Sequence, residues 1–173
     1  MKRLCSIKVC LLLWAIVETV FAANYIRPDS SVAFYYGDAW PIPELYAYDV
    51  VVVTPQNGID PKVYDKPNSK LYAYVTVGEM DDDAPLAKTM PKNWVTARNE
   101  AWHSAVMDMA NPAWRAFLIK HYFAPLYAKG YRGFFLDTLD SYQLSKKDKA
   151  LQEAGLVALL KTLHQRFPDA GLI

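Results

Sequence analysis

The chain has 173 residues, of which 53% are hydrophobic, 14% aromatic and 21% charged. That is the balance of a folded globular protein, and it excludes extended disorder, collagen-like repeats and a disulfide-built miniprotein. A formal net charge of +1, from 19 basic and 18 acidic residues, gives no global attraction for nucleic acid or anionic lipid.

The first 22 residues read as an export signal. Lys2, Arg3 and Lys8 supply the positive start, Val9–Val17 (VCLLLWAIV) is an unbroken apolar run, and Val20-Phe21-Ala22 offers a cleavage site before Ala23. An uncleaved anchor is the alternative, but a membrane span needs about 18–20 apolar residues and Glu18 closes this run too early. Cleavage would remove both cysteines, Cys5 and Cys10. Three basic residues and one acidic residue leave with them, which takes the net charge to −1. Residues 23–173 then carry no thiol, so cysteine nucleophiles, zinc–cysteine sites and redox chemistry are excluded. The expectation is an exported protein, periplasmic or extracellular, with no stable membrane span after cleavage.

In chain order, residues 31–36 (SVAFYY) read as a first strand, ended by Gly37-Asp38 and a Trp40-Pro41-Ile42-Pro43 turn. A short helical connection from Pro43 leads into Val50–Thr54 (VVVVT). This run is apolar on both faces, as suits a buried parallel strand. Lys70–Val77 (KLYAYVTV) is a third strand, ended by Gly78-Glu79. Residues 79–110, with Asp81-Asp82-Asp83, Pro85 and Pro91, hold no steady period and read as a long loop with broken helical pieces. Asn111-Pro112 is N-cap chemistry with proline at the first helical position. Trp114, Phe117, Leu118, His121, Tyr122 and Leu126 then recur at helical spacing as far as Lys129-Gly130. Pro125 is expected to bend that helix or mark its last turn. Gly133–Asp137 (GFFLD) is a fourth strand. Ser145 with Asp148 resembles a capping box for a helix over about 146–167, and Leu172-Ile173 opens a fifth strand.

Strands alternating with helices argue for a parallel α/β architecture. A closed (β/α)8 barrel takes about 200–250 residues or more. The chain is therefore expected to be either a small open α/β sheet or the first half of a TIM barrel, with about four to five strands. An end inside an apparent strand favours a truncated chain. Half a barrel leaves unpaired edges and an uncovered core, so residues 23–173 alone are expected to be poorly stable.

Active sites of parallel α/β folds lie at the carboxyl ends of the strands. Asp38, Glu79 and Asp137 fall at such ends, and Asp140 follows in the same turn as Asp137 (LDTLDSY). Glycosidases need two carboxyl groups, one to protonate the leaving oxygen and one to attack the anomeric carbon or activate water. Simpler readings stand beside this one. Asp140 can cap the turn after strand four, Asp38 can support the Gly37 turn, and Glu79 can face solvent. Asp137 is harder to set aside, because a charge that ends Gly-Phe-Phe-Leu sits where burial is expected. Tyr35, Tyr36, Trp40, Tyr72, Tyr74, Trp94, Trp102 and Tyr142 lie near strands or the loops after them, and sugar rings stack on such side chains. Tyr36 and Tyr142 neighbour strand ends most closely.

Other chemistries find no support. Asp81-Asp82-Asp83 lacks the alternating ligands and glycine of a calcium loop, and His103, His121 and His164 share no ligand spacing. No GxxxxGK, GxGxxG or GxSxG pattern occurs. Neither metal nor cofactor is expected.

VAFYYG, YDVVVVTP, YAYVTVGE, DMANPAWR and GYRGFFLDTLDSY, in that order, resemble glycoside hydrolase family 114. Its members are TIM-barrel endo-α-1,4-polygalactosaminidases. They are similar to the hydrolase region of bifunctional proteins that process the cationic exopolysaccharide Pel, in which a deacetylase domain follows. The resemblance implies that Asp137 is catalytic, as the nucleophile, and that Glu79 and Asp38 line the sugar groove. Tyr36, Asp140 and Tyr142 join them as candidate substrate contacts. It also implies a second catalytic carboxylate, a glutamate, on a later strand beyond residue 173. The partner is then a polysaccharide, with no nucleic acid. A non-catalytic carbohydrate-binding or scaffold fragment is the alternative. A deacetylase acting directly would need Asp-His-His ligands that this segment does not supply.

Overall fold

The computed structural model describes residues 26–38, 43–64 and 69–173. Residues 1–22, read above as an export signal, and the Trp40-Pro41-Ile42 part of the first turn lie outside the described residues.

β1 (Val32–Tyr35), β2 (Val50–Val53) and β3 (Lys70–Thr76) follow one another, with a 3-10 turn over Pro43–Ala47 between the first two. An antiparallel excursion comes next: β4 (Glu79–Asp81), β5 (Val95–Asn99) and β6 (Ser104–Met107). The chain returns through α1 (Pro112–Leu118) and α2 (Ala124–Lys129) to β7 (Gly133–Asp137). It then passes through α3 (Lys149–Arg166) to β8 (Gly171–Leu172).

β1, β2, β3, β7 and β8 form one parallel sheet in that spatial order. Each strand is added on the same side of its predecessor. A doubly wound sheet reverses direction at a switch point, whereas a barrel wall does not. The five strands are therefore an arc of barrel wall. On its outer face Val51, Val53, Ala73, Val75, Phe134 and Leu136 are buried against Trp114, Leu118, Phe123, Leu159 and Leu163 of the helices. Each such aliphatic side chain, fully buried, contributes about 1.5–3 kcal/mol. On the inner face Val50, Val52 and Tyr72 form a second buried cluster, with Tyr74 and Phe135 packed on it.

Two regions depart from the sequence expectation. Residues 79–110 carry the expected broken helical pieces, as 3-10 turns over Ala87–Thr89 and Lys92–Trp94, but also a three-stranded sheet in the order β4-β6-β5 that was not expected. Its strands are three to five residues long, and a register shift between Val95 and Ala97 breaks the alternation that would have revealed one of them. The cap of α3 is the other. Asp148 alone is the N-cap, accepting from the Leu151 amide at 3.1 Å, while Ser145 Oγ accepts from Lys147 N at 3.0 Å in the preceding turn. A capping box on Ser145 would need the helix to begin just after it, whereas the helix begins at Lys149.

Asn111 caps α1 as expected, its Oδ1 accepting from Ala113 N at 2.9 Å. Pro125 stands one turn before the helix ends at Lys129, the last-turn position that the sequence suggested. A single π turn over Ile119–Phe123 joins α1 to α2. Proline removes one amide and crowds the carbonyl four residues earlier, and a wide turn in front of it accommodates both effects.

α3 approaches the loop after β6 closely at Gly155, where a Cβ would lie 2.0 Å from the Met109 carbonyl oxygen. Alanine is the better helix former by about 1 kcal/mol, but overpacking costs about 1–3 kcal/mol, and here the obstacle is backbone. Gly155→Ala is therefore expected to lower the thermal midpoint despite the gain in helix propensity. A calorimetric melt showing an unchanged or raised midpoint would refute this packing account.

Candidate active site

β7 is apolar until its last residue, and its register with β3 sets Phe135 beside Tyr74 and Asp137 beside Thr76. Alternation along a strand sends Phe135 and Asp137 to the same, inner face. Asp137 stands there half-buried, at the carboxyl end of the arc. Its Oδ2 accepts from the Tyr74 hydroxyl, and its Oδ1 accepts from the Thr138 amide at 2.8 Å. The Tyr74 ring stacks on Phe135 at 5.9 Å and meets Tyr36 edge-on at 5.6 Å. Burial, reinforced by the hydrogen bond to Asp137 and by its charge, pushes the Tyr74 phenol far above the ordinary tyrosine range. That hydroxyl is a permanent donor. Tyr36 remains exposed, and burial of its inner edge followed by the charge of Asp137 raises its pKa as well.

Asp137 thus accepts two hydrogen bonds, and each of its oxygens keeps a second lone pair. A carboxylate held in this way can attack an anomeric carbon or stabilise positive charge developing there. A groove of ≈ 590 Å³ opens at the ends of β2 and β3, with Thr54, Gln56, Tyr74, Asp81, Asp83 and Tyr122 among its lining residues; it reaches the site through Tyr74 and is not lined by Asp137 itself.

Glu79 has a different environment. It is only 4% exposed. Its carboxylate accepts from Asn99 Nδ2 at 3.0 Å and from the hydroxyls of Ser104 and Ser141. Burial acts to raise its pKa, but these three donors outweigh burial and leave the group below its ordinary value of 4.5. The bonds join β4, β5, β6 and the turn after β7 into one unit.

The remaining candidates are spread around this centre. Asp38 is exposed in the bend after β1. Asp140 is exposed, and its side chain makes no capping bond to the turn it precedes. Tyr142 leans onto α3, its hydroxyl donating to Glu153 at 2.8 Å. The structure therefore brings Asp137 together with Tyr36 and Tyr74, and leaves Asp140 and Tyr142 in the following turn. Thr138 went unnamed in the sequence reasoning, and Tyr74 appeared there only as one of eight aromatics near strands. Strand alternation counted back from Asp137 would find Tyr74 only with the β3–β7 register in hand. Among the described residues, no group of three His, Cys, Asp or Glu side chains is placed to hold a metal ion, and no helix is long and apolar enough to cross a membrane.

A same-handed arc of parallel strands with a carboxylate at its carboxyl edge defines a protein of the (β/α)8-barrel class. Within that class the chain belongs to glycoside-hydrolase family GH114, whose model matches residues 18–173. The glycoside hydrolase domain of PelA from Pseudomonas aeruginosa is similar at 39% identity and a TM-score of 0.71, over 83% of this chain and 58% of that one. Aspergillus fumigatus Ega3, solved in complex with galactosamine, matches with a TM-score of 0.68 at 13% identity, over 86% of this chain and 62% of that one. An α-galactosidase from Lactobacillus brevis matches at 0.62 and 12% identity, over 89% and 27%. The last two likenesses are of fold alone. The chain thus spans less than two thirds of the PelA domain. Comparison with curated protein sequences finds no match.

The depressed pKa of Glu79 ties stability to pH. Its contribution is fully present above 4.5, the ordinary value, and is lost as pH falls through the lower folded-state value. Urea midpoints measured from pH 7 down to pH 3 should fall more steeply for the wild type than for Glu79→Gln. Glu79→Ala leaves three donors without their acceptor, at about 1–3 kcal/mol for each that stays buried, and should be destabilised across the whole range. Parallel curves for wild type and Glu79→Gln would contradict the assignment.

Proposed function

We propose that the protein is an exported, endo-acting glycoside hydrolase that cleaves an α-1,4-linked galactosamine/N-acetylgalactosamine exopolysaccharide, with Asp137 as its nucleophile. The observation that carries this reading is the position of Asp137: a half-buried carboxylate at the carboxyl end of a barrel strand, held by two donors, in a chain of family GH114. Export rests on the charge, apolar run and cleavage pattern of residues 1–22. The sugar is supported by the likeness to PelA and by the galactosamine in the Ega3 structure.

In this reading Asp137 attacks the anomeric carbon as the glycosidic bond breaks, giving a glycosyl ester that water then hydrolyses. A glutamate on a later strand of the barrel, in the part of the PelA-like domain that this chain does not span, protonates the leaving oxygen. Tyr36 offers an exposed ring edge for a sugar, with Tyr142 at the rim. Asp38 and Asp140, together with Asp81 and Asp83 of the groove, supply negative charge for the ammonium groups of galactosamine. Glu79 contributes by fixing the turn that follows Asp137.

The test is the release of reducing ends from partly deacetylated α-1,4-galactosaminoglycan by the full-length protein. Asp137→Ala should lower the rate by about 1,000-fold or more, the scale on which loss of a covalent nucleophile is felt. Tyr74→Phe should lower kcat by about 10- to 100-fold, the worth of one hydrogen bond to a charged group, with KM little changed. Undiminished activity in Asp137→Ala would sink the role assigned to it. Polymer binding without any cleavage by the wild type would favour a binding module instead.

A further inference from the structure

Thr138, the residue after Asp137, has a φ of +61°. Left-handed backbone at a β-branched residue is a genuine outlier. It costs about 1–3 kcal/mol and persists only where the surroundings hold it. Here they do. The Thr138 hydroxyl donates to the Asp137 carbonyl at 2.6 Å and accepts from the amides of Gly78 at 2.9 Å and Val77 at 3.2 Å. Val77 N–H also reaches the Asp137 carbonyl at 3.0 Å. One side chain therefore ties the end of β7 to the end of β3. Gly78 makes the approach possible, since a Cβ there would lie 2.1 Å from the Thr138 carbonyl oxygen.

The consequence falls on Asp137. A residue that continued the strand would turn its amide sideways into the ladder. Here the left-handed φ swings the Thr138 side chain onto the Asp137 carbonyl, and that hydroxyl and the Val77 amide together set the Asp137–Thr138 peptide plane so that the Thr138 amide meets Asp137 Oδ1 at 2.8 Å. Glycine would adopt this φ without strain, so the presence of threonine is accounted for by the hydroxyl it brings.

We propose that Thr138 is a positioning residue for Asp137: its hydroxyl, carried to the Asp137 carbonyl by the left-handed backbone, fixes the peptide plane whose amide holds Oδ1, and so fixes the rotation of the carboxylate so that Oδ2 meets Tyr74. The inference rests on the reading of Asp137 as the nucleophile. A carboxylate that cannot rotate enters the reaction already oriented, and small misplacements of such groups cost up to about 100-fold in rate.

Three variants of the full-length protein separate the elements of this device, with Asp137→Ala as the control on the underlying reading. Thr138→Ser keeps the hydroxyl, Thr138→Ala removes it but retains the strain, and Thr138→Gly removes both. On the galactosaminoglycan, Thr138→Ser should stay within about threefold of wild-type kcat. Thr138→Gly and Thr138→Ala should each lose about 10- to 100-fold in kcat, with KM within twofold. A purely structural role would instead lower the thermal midpoint and leave kcat per folded molecule unchanged. If Thr138→Ala does not fold, the contrast between serine and glycine decides. An inactive Asp137→Ala beside a Thr138→Gly of wild-type kcat overturns the positioning role, as does an equal loss in Thr138→Ser and Thr138→Ala. Full activity in Asp137→Ala overturns the nucleophile reading and this inference with it.

Discussion

Parallel pairing of β3 with β7 carries the rest of the molecule. These strands are neighbours in the sheet although the antiparallel excursion, α1 and α2 lie between them in the chain. Their register places Tyr74 beside Phe135 and Thr76 beside Asp137, so one aromatic wall and one carboxylate share the inner face. The same junction is fastened above the ladder, where Val77 N–H meets the Asp137 carbonyl and the Thr138 hydroxyl binds the Val77 and Gly78 amides. Below it, on the outer face, the Trp114 indole donates to the Val77 carbonyl at 3.2 Å. A shift of β7 by one residue would turn Asp137 toward the helices, and a shift of β3 would take Tyr74 away from it.

Glu79 and Asp137 both follow strand ends, yet their surroundings give them different work. Glu79 is closed in by donors from three separate segments, which lowers its pKa. Its oxygens are already occupied by neutral donors within the protein. Asp137 has one donor from its own turn and one from the neighbouring strand, and keeps a face toward the open side of the arc. Carboxylates of equal formal charge thus divide into one that holds the loop sheet over the barrel and one left available for chemistry.

This division explains what could be read in the sequence. VVVV and GFFLD were legible because buried parallel strands are continuous apolar runs, and Asp137 stood out as the charge that breaks one. The N-cap at Asn111 is local and was legible too. The excursion after β3 was not. Its strands are short, and the bonds of Glu79 that secure it reach partners 20, 25 and 62 residues away. Such contacts leave no periodic trace. The capping of α3 by Asp148 instead of Ser145 turns on which turn the helix starts from, which residue types alone leave ambiguous. Tyr74 was visible as an aromatic on a strand apolar at most positions, so its facing could not be assigned before the register was known.

The inner face changes character along the barrel axis. Val50, Val52 and Tyr72 are buried at its base, where Tyr72 fills space that small residues leave open: Gly133 and Gly171 both lie against it. Phe34, Phe135 and Tyr74 form the middle layer through edge and stacked contacts. Tyr36, 57% exposed, and Asp137 form the top. Tyrosine at 74 suits the boundary between layers, because its ring continues the apolar wall while its hydroxyl reaches the carboxylate. The burial that makes the ring a good packing partner also keeps the phenol protonated, so the packing that builds the wall also secures the hydrogen bond that orients Asp137.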